Sequence, residues 1–250
     1  SELQMVSRNG LNSRKNEKKI STIICFLFSF YILLAFLAPL LMEKGTVPEL
    51  SGRANAIDYA TEKSWGNLDH GEYAEMGHDQ PKYGVFAWSE LNPIWAFTYM
   101  IGDINCHQKY DRSWEINDNQ MPICTRDVGI LFGIILGCLI FRNRGCNRWT
   151  IRDTFLTIIP DSKLSIIYKN DLRMMAMFSL IIASIIPIGI DGFLQLLTDY
   201  ESTNSKRVVT GLIAGFSLGW LICSMLAAKP EYFDNSEKVT LPLGSLLKIK

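Results

Sequence analysis

Two cysteines, a histidine and an aspartate lie within a short polar stretch of the sequence and form its most reactive combination. They are Cys106, His107, Cys124 and Asp127. Zinc accepts thiolate, imidazole and carboxylate ligands in proteins, so these side chains predict a site for zinc or another divalent metal. The alternative is a disulfide between Cys106 and Cys124, with His107 only hydrogen-bonded. The residues alone leave both interpretations open.

Arginines and carboxylates predict a second kind of chemistry, the binding of an anion. Arg112 and Arg126 belong to the same polar stretch, and Arg207 follows much later. Guanidinium groups bind phosphate through paired hydrogen bonds, so a lipid headgroup is a candidate ligand. Asp191 and Glu201 could act as a base or as ion-pair partners of the arginines. If the protein is an enzyme, the catalytic candidates are Glu201, Asp191, Arg126 and Arg207. Internal ion pairing is the alternative role of the arginines.

Apolar runs predict that these side chains lie at a membrane surface. A helix needs roughly 20 apolar residues to cross about 30 Å of hydrocarbon. Three uncharged runs are suitable, at 20–42, 174–190 and 208–228, and a shorter one lies at 128–141. The shorter run crosses the membrane only with help from its flanks. We therefore predict an all-α fold, an integral membrane four-helix bundle with a polar outer loop cap.

The positions of Lys and Arg predict the orientation of the chain. Basic residues precede the first run and follow the second and fourth, whereas the segment 43–90 is mildly acidic. Because basic loops stay on the cytoplasmic side, both termini are predicted to be cytoplasmic in the cell membrane. The predicted segments are a basic tail at 1–19, spans at 20–42, 128–141, 174–190 and 208–228, extracytoplasmic segments at 43–127 and 191–207, and cytoplasmic segments at 142–173 and 229–250.

Two ladders with glycine at every fourth position predict which helices touch. They comprise Gly129, Gly133 and Gly137 in one run and Gly211, Gly215 and Gly219 in another. Glycines on one helix face let two backbones approach closely in lipid. Contact between the ladders would bring together the polar residues that precede them. We therefore predict one hydrogen-bonded cluster of Arg126, Asp127, Glu201 and Arg207.

The long segment 43–92 carries aromatic residues scattered among polar ones. It is too aromatic for a disordered linker, so we predict loops and short helices over the outer face. Aromatic surfaces often contact partners, which makes 43–92 the predicted docking surface for other membrane subunits. His70 and His78 within it are predicted to be solvated. The basic residues of 142–152 favour contact with membrane lipids, and nucleic acid is not an expected partner.

A series of short motifs in a fixed order resembles a known family. The motifs read Cys-His-Gln, Arg-Ser, Gln-x-Pro-x-Cys-x-Arg-x-x-Gly, Asp-Gly-x-x-Gln and Glu-Ser-Thr-Asn-x-x-Arg-x-x-Thr-Gly. They are carried by Cys106, His107, Gln108, Arg112, Ser113, Gln120, Pro122, Cys124, Arg126, Gly129, Asp191, Gly192, Gln195, Glu201, Ser202, Thr203, Asn204, Arg207, Thr210 and Gly211. The series resembles domain-of-unknown-function family 2085, small predicted multi-pass membrane proteins of archaea and bacteria, over roughly residues 93–228.

The resemblance implies a multi-pass membrane protein and brings no activity with it. Many members of the family carry a second cysteine at the position of Asp127, which gives them a Cys-x-x-Cys pair. This chain has Cys-x-x-Asp instead. The family pattern therefore supports a metal site less directly here, and the segment 43–92 looks like an addition to the pattern.

Three functional hypotheses follow from these observations. The first is a non-transport membrane protein whose extracytoplasmic polar site binds a metal or an anionic lipid headgroup. The second is a membrane-embedded lipid-modifying enzyme, either a hydrolase or a transferase. The third is an accessory or structural subunit of a larger membrane complex. The sequence contains no His-Glu-x-x-His motif and no glycine-rich phosphate loop, so neither of those enzyme classes is indicated.

Overall fold

Most of the chain is helical. The computed structural model describes residues 14–52, 55–69, 78–229, 238–240 and 246–248, so the predicted tail before residue 14, His70 and most of 229–250 lie outside the described residues. The helices are α1 (Lys15–Leu41), α2 (Gln80–Tyr83), α3 (Pro93–Asn105), α4 (Thr125–Arg144), α5 (Ile151–Leu156), α6 (Asp161–Lys169), α7 (Arg173–Leu197) and α8 (Asn204–Ala227). The strands are β1 (Ser113–Ile116), β2 (Asn119–Cys124), β3 (Lys238–Thr240) and β4 (Leu246–Lys248), in two antiparallel pairs.

Among the described residues, three helices are long and apolar enough to cross a membrane, namely α1, α7 and α8. They contain nearly all of the predicted spans 20–42, 174–190 and 208–228. Helix α4 contains the fourth predicted span, 128–141, but it is not among the helices that are long and apolar enough to cross a membrane. Its uncharged run is short because charged residues lie near both ends: Arg126, Asp127, Arg142 and Arg144. The four-helix bundle and the orientation of the termini therefore stay predictions.

The all-α prediction is wrong for the polar stretch before α4, which forms the β1–β2 hairpin. Asn117 and Asp118 make its two-residue turn, with φ angles of 54° and 53°. Tight hairpin turns need this left-handed conformation, and Asn and Asp tolerate it better than most residues. The hairpin's strands have only four and six residues, so their alternation is too short to predict a strand from the sequence.

The chain divides into two compact units. The first consists of Ser1–Phe28, Phe132–Phe193 and Leu212–Lys250, and the second of Ser29–Leu131 and Leu194–Gly211. All four predicted metal ligands belong to the second unit.

A small hydrophobic core organises the second unit. It consists of Ala38, Met42, Val47, Leu50, Tyr59, Phe86 and Tyr99. The described parts of 43–92 form loops and short helices, and two of its aromatic side chains, Tyr59 and Phe86, point into this core. Burying a side chain such as Phe86 contributes about 1.5–3 kcal/mol. These two residues are therefore not part of a docking surface.

The buried carboxylate of Asp103 joins α3 to the preceding segment. It accepts hydrogen bonds from the backbone N–H groups of Asp58 (3.1 Å) and Tyr59 (2.9 Å) and from the indole Nε1 of Trp88 (2.9 Å). Three donors satisfy a carboxylate that would otherwise be costly to bury. Asp103 therefore orients the helix that ends just before Cys106.

Two glutamines of the motif series hold backbone segments of the second unit together. The side-chain oxygen of Gln120 accepts from the N–H of Leu50 at 2.7 Å, and its Nε2 donates to the carbonyl of Gln108 at 2.8 Å. The Nε2 of Gln108 in turn donates to the carbonyl of Pro122 at 2.9 Å. These motif residues are structural, and they position the strand that ends at Cys124.

The predicted contact between the glycine ladders is confirmed in each unit. In the second unit, a Cβ on Gly129 would collide with the carbonyl of Val208, and one on Gly211 with the carbonyl of Arg126. In the first unit the same holds for Gly133 against Leu212, Gly137 against Phe216 and Gly219 against Ile134. Only glycine leaves room for two helix backbones at this distance.

Arg14 of the first unit, one of the basic residues used above to predict orientation, also contacts the end of α4. Its guanidinium donates to the carbonyls of Phe141, Arg142, Asn143 and Gly145, at 2.6–3.3 Å. Carbonyls at the end of a helix have no partner within the helix, and a cation there is favourable. Arg14 therefore caps the C-terminus of α4.

The predicted cytoplasmic loop 142–173 is also more ordered than expected, because it contains α5 and α6. Buried Asp153 lies 3.6 Å from Arg173 and accepts from the hydroxyl of Tyr168 at 2.7 Å. The indole of Trp220 donates to the carbonyl of Phe155 at 2.8 Å, which fixes α5 to α8 within the first unit.

Candidate metal centre

Three elements of the second unit position the cysteines and the aspartate. Cys106 caps the end of α3, where its N–H donates to the carbonyl of Gly102 at 2.7 Å. Cys124 is the last residue of β2, and Asp127 lies in the first turn of α4. The turn from strand to helix brings Asp127 back over Cys124, three residues earlier in the chain.

One atom from each of these side chains lies within 4.8 Å of the others. The thiol of Cys124 donates to the carboxylate of Asp127 at 3.3 Å, and the backbone N–H of Cys124 donates to Sγ of Cys106 at 3.1 Å. Two sulfur ligands of one tetrahedral zinc lie about 3.7 Å apart, given a Zn–S distance of about 2.3 Å. The three side chains are therefore already close to the spacing that a shared ion needs. Below they are called the Cys106–Cys124–Asp127 cluster.

His107 lies apart from this cluster. It is exposed, whereas Cys106 is 2% exposed. The backbone at Cys106 is extended (φ −121°, ψ 150°), and successive side chains of an extended chain point in opposite directions. The structure therefore brings three of the four predicted ligands together, and a ligand role for His107 stays a prediction.

Cys106 and Cys124 are both free thiols in this structure. A disulfide between them stays the alternative prediction, because the two sulfurs lie within 4.8 Å of each other, and it would leave Asp127 without a role in the cluster.

The surroundings of Cys106 raise its pKa well above the usual value for a thiol. The largest cause is the hydrogen bond with Cys124, followed by burial, and the charge of Asp127 also contributes. Without a metal, the thiol is therefore protonated at neutral pH. A divalent cation would displace the proton and offset the repulsion among the three groups.

The predicted cluster of Arg126, Asp127, Glu201 and Arg207 is wrong with respect to Arg207. Its Nε donates to the carbonyl of Ser202 and its Nη2 to Oε1 of Gln195, each at 3.0 Å. Arg207 lies in the first turn of α8, and helical side chains lean towards the N-terminus. Its guanidinium therefore reaches back to the residues before the helix.

The two carboxylates proposed for catalysis lie in different surroundings. Glu201 is exposed in the loop before α8. Asp191 is buried in α7 and belongs to the first unit. A catalytic role for Glu201, Asp191, Arg126 or Arg207 stays a prediction.

Sequence reasoning missed two residues near the cluster. The hydroxyl of Thr125 bonds to the carbonyl of Arg112 at 3.2 Å and to Oδ1 of Asn204 at 3.1 Å. Tyr31 of α1 lies near Cys106 and Asp127. The position of Thr125 beside Arg126 is only a weak sequence signal for a role near the cluster. Tyr31 lies inside an apolar run, where the sequence gives no such signal.

Gly215-Phe216-Ser217-Leu218-Gly219 matches the Gly-x-Ser-x-Gly pattern of hydrolases. That pattern is functional where the serine sits on a sharp turn between a strand and a helix. Ser217 instead lies inside continuous α8, where its hydroxyl bonds to that of Ser184. It is a polar contact between α7 and α8 in the first unit.

Comparison with known proteins connects this site to a family. The family model described as a predicted membrane protein, DUF2085, matches residues 106–221. An uncharacterised protein of Methanocaldococcus jannaschii is 31% identical over 137 residues, which cover 53% of this chain and 73% of the relative. The chain belongs to this family. A second uncharacterised relative, from Methanothermobacter thermautotrophicus, is 28% identical over 116 residues, covering 46% of this chain and 82% of its own. No solved structure matches the chain.

Membership confirms the resemblance inferred from the ordered motifs and makes the chain a predicted membrane protein. The DUF2085 match begins at Cys106 and includes Cys124 and Asp127, so the whole cluster lies within the shared part of the chain. Helix α1 and the segment 43–92 lie before the match, which agrees with the expectation that 43–92 is an addition.

Proposed function

We propose that this DUF2085 protein binds a divalent, thiol-preferring metal such as zinc through Cys106, Cys124 and Asp127. The observation that supports the proposal is the approach of two sulfurs and a carboxylate oxygen to within 4.8 Å of one another. Three protein ligands leave one position of a tetrahedral zinc for water or another ligand, as in catalytic zinc sites. The arrangement therefore suits a metal that acts on, or recognises, a further molecule.

The hydrogen bonds around the cluster also support a metal. Sulfur ligands in metal sites commonly accept N–H bonds from neighbouring backbone, and the N–H of Cys124 already donates to Cys106. The buried position of Cys106 would keep the bound ion from full hydration. The carboxylate of Asp127 adds a further negative charge to those of the two cysteine thiolates that would bind the ion.

The proposed location is the extracytoplasmic boundary of the membrane. The argument rests on the distribution of Lys and Arg, which favours cytoplasmic termini. In that orientation the polar segments 43–127 and 191–207 lie outside. Lipid-modifying chemistry and an accessory role within a larger complex stay as predictions.

Elemental analysis of the purified full-length protein tests the metal. We expect about one zinc per chain, and loss of most of it in Cys106→Ser, Cys124→Ser and Asp127→Asn. Cys146→Ser is the matched control, because Cys146 belongs to the first unit and lies outside the cluster. Metal retained in all three cluster variants would refute the proposal, as would a Cys106–Cys124 disulfide found in the native protein by mass spectrometry.

A further inference from the structure

Arg207 is a buried cation whose hydrogen-bond partners are neutral. The side chain is 3% exposed, and its two described partners are a backbone carbonyl and an amide oxygen. No ion pair of Arg207 is found among the residues that the structure describes. A buried charge is costly unless an opposite charge compensates it, and more so in a protein of the membrane.

Two further arginines approach Arg207. The hydroxyl of Thr125 links the backbone of Arg112 to the side chain of Asn204, three residues before Arg207. Arg126 follows Thr125, and its carbonyl faces Gly211, one helical turn after Arg207. Arg112 and Arg126 are close enough for their positive charges to act on Arg207.

The nearby carboxylate of Asp111 is already engaged. Asp111 is the carboxylate whose charge acts on Arg207, but it lies 3.5 Å from Lys109 and 4.0 Å from Arg112. The Nε of Arg112 is buried and has no hydrogen-bond partner in the described part of the chain. Arg207 therefore faces two further arginines, and the carboxylate that acts on it is already paired.

We propose that Arg112, Arg126 and Arg207 form a binding site for a phosphate-type anion, supplied either as a lipid headgroup or as free phosphate. Guanidinium forks match the oxygens of a phosphate, and a doubly charged anion would compensate the buried cation. Arg126 lies between Cys124 and Asp127 in the chain, so the anion would lie beside the Cys106–Cys124–Asp127 cluster. The arginine site does not require the metal, and the two proposals can fail separately.

Binding to the full-length protein in detergent tests the site, with inorganic phosphate as one probe. Nanodiscs of phosphatidylglycerol, compared with phosphatidylcholine, are the second probe. We expect Arg207→Gln and Arg112→Gln to weaken binding by about tenfold or more, the usual effect of losing a charge-assisted hydrogen bond. Arg112→Gln changes a half-buried side chain, so it keeps the test valid if Arg207→Gln does not fold.

Lys206→Gln is the matched control, because it removes the same charge from the neighbouring, exposed position of α8. We expect the control to bind within about twofold of the wild type. Binding of phosphate alone would identify a free anion, and binding of phosphatidylglycerol alone a lipid headgroup. The proposal is overturned if neither probe binds, or if both arginine variants bind as the wild type does.

The same titrations on Cys124→Ser separate this site from the metal. Anion binding that survives in metal-free Cys124→Ser supports the arginine site, whether or not the wild-type protein binds zinc. Binding that is lost in Cys124→Ser but kept in Arg207→Gln and Arg112→Gln would place the anion on the metal and overturn the arginine site.

Discussion

The backbone N–H of Cys124 donates a hydrogen bond to Sγ of Cys106 at 3.1 Å. An N–H donor stabilises a thiolate, whereas the side-chain hydrogen bond with Cys124, burial and the charge of Asp127 favour the neutral thiol. The second group of effects is larger, because the pKa of Cys106 is raised. A bound cation would reverse that balance, since it attracts all three groups at once.

Zinc affinity should therefore rise with pH. A thiol below its pKa must release a proton to bind the metal, so each such thiol adds about a tenfold gain per pH unit. The raised pKa of Cys106 keeps it in this regime through neutral pH. Competition titrations with a chromogenic chelator at pH 6, 7 and 8 measure the slope. A pH-independent affinity would show that Cys106 is not a ligand.

Replacing a ladder glycine should separate α4 from α8. In Gly133→Ala, the new methyl would collide with the backbone of α8 near Leu212. Overpacking of this kind costs about 1–3 kcal/mol. Gly189→Ala is the control in the same unit, because nothing lies within 4 Å of a Cβ there. Thermal unfolding in detergent compares the two, and equal stabilities would contradict the close approach of the helices.

Asp103→Asn should destabilise the second unit. The asparagine amide offers one acceptor and turns a donor towards groups that also donate, the N–H groups of Asp58 and Tyr59 and the indole of Trp88. The expected loss is about 2–4 kcal/mol. Asp118→Asn removes an exposed pair with Lys44 and should cost less than about 1 kcal/mol. Denaturant unfolding checks the difference, and a similar cost for both would refute it.

Acid should weaken the second unit through His78. This histidine was predicted to be solvated, but its ring packs against Tyr83 and Tyr110, with centroids 3.9 and 4.9 Å apart. Burial lowers the pKa of His78 below its usual 6.5. The unfolded chain therefore takes up the proton first as pH falls, so this contribution to stability is present above pH 6.5 and lost below it.

The matched variant for this test is His78→Gln, which cannot titrate. Unfolding midpoints at pH 7.5 and 5.5 should differ less in the variant than in the wild type. An identical pH dependence in both proteins would exclude His78 as the group responsible.

Local patterns in the sequence predicted the parts of the fold that depend on one element at a time. The runs 20–42, 174–190 and 208–228 coincide with α1, α7 and α8 because hydropathy is a property of the segment itself. The hairpin was missed since its strands are short and its turn, Asn117-Asp118, is a weaker signal than a turn with glycine. The charged ends of α4 limit it as a span for the same local reason.

The candidate site could be predicted only in part. Spacing identified Cys124 and Asp127 as a pair. They are three residues apart, and the local turn from β2 into α4 is enough to bring their side chains together. Spacing could not show that His107 lies apart from the other three, since neighbouring side chains of an extended segment point in different directions. The partners of Arg207 were missed because they depend on where the loop before α8 folds back.

By itself, the sequence determined that this is a membrane protein of its family and that α4 and α8 touch through their glycines. Hydropathy, the ordered motifs and the spacing of the glycines suffice for these inferences, because each is a pattern of neighbouring residues in the sequence. Only the tertiary structure decided which side chains converge: Cys106 joins Cys124 and Asp127, and Arg207 approaches Arg112 and Arg126. Such convergence depends on contacts between segments far apart in the chain, and no local pattern encodes the direction in which a side chain finally points.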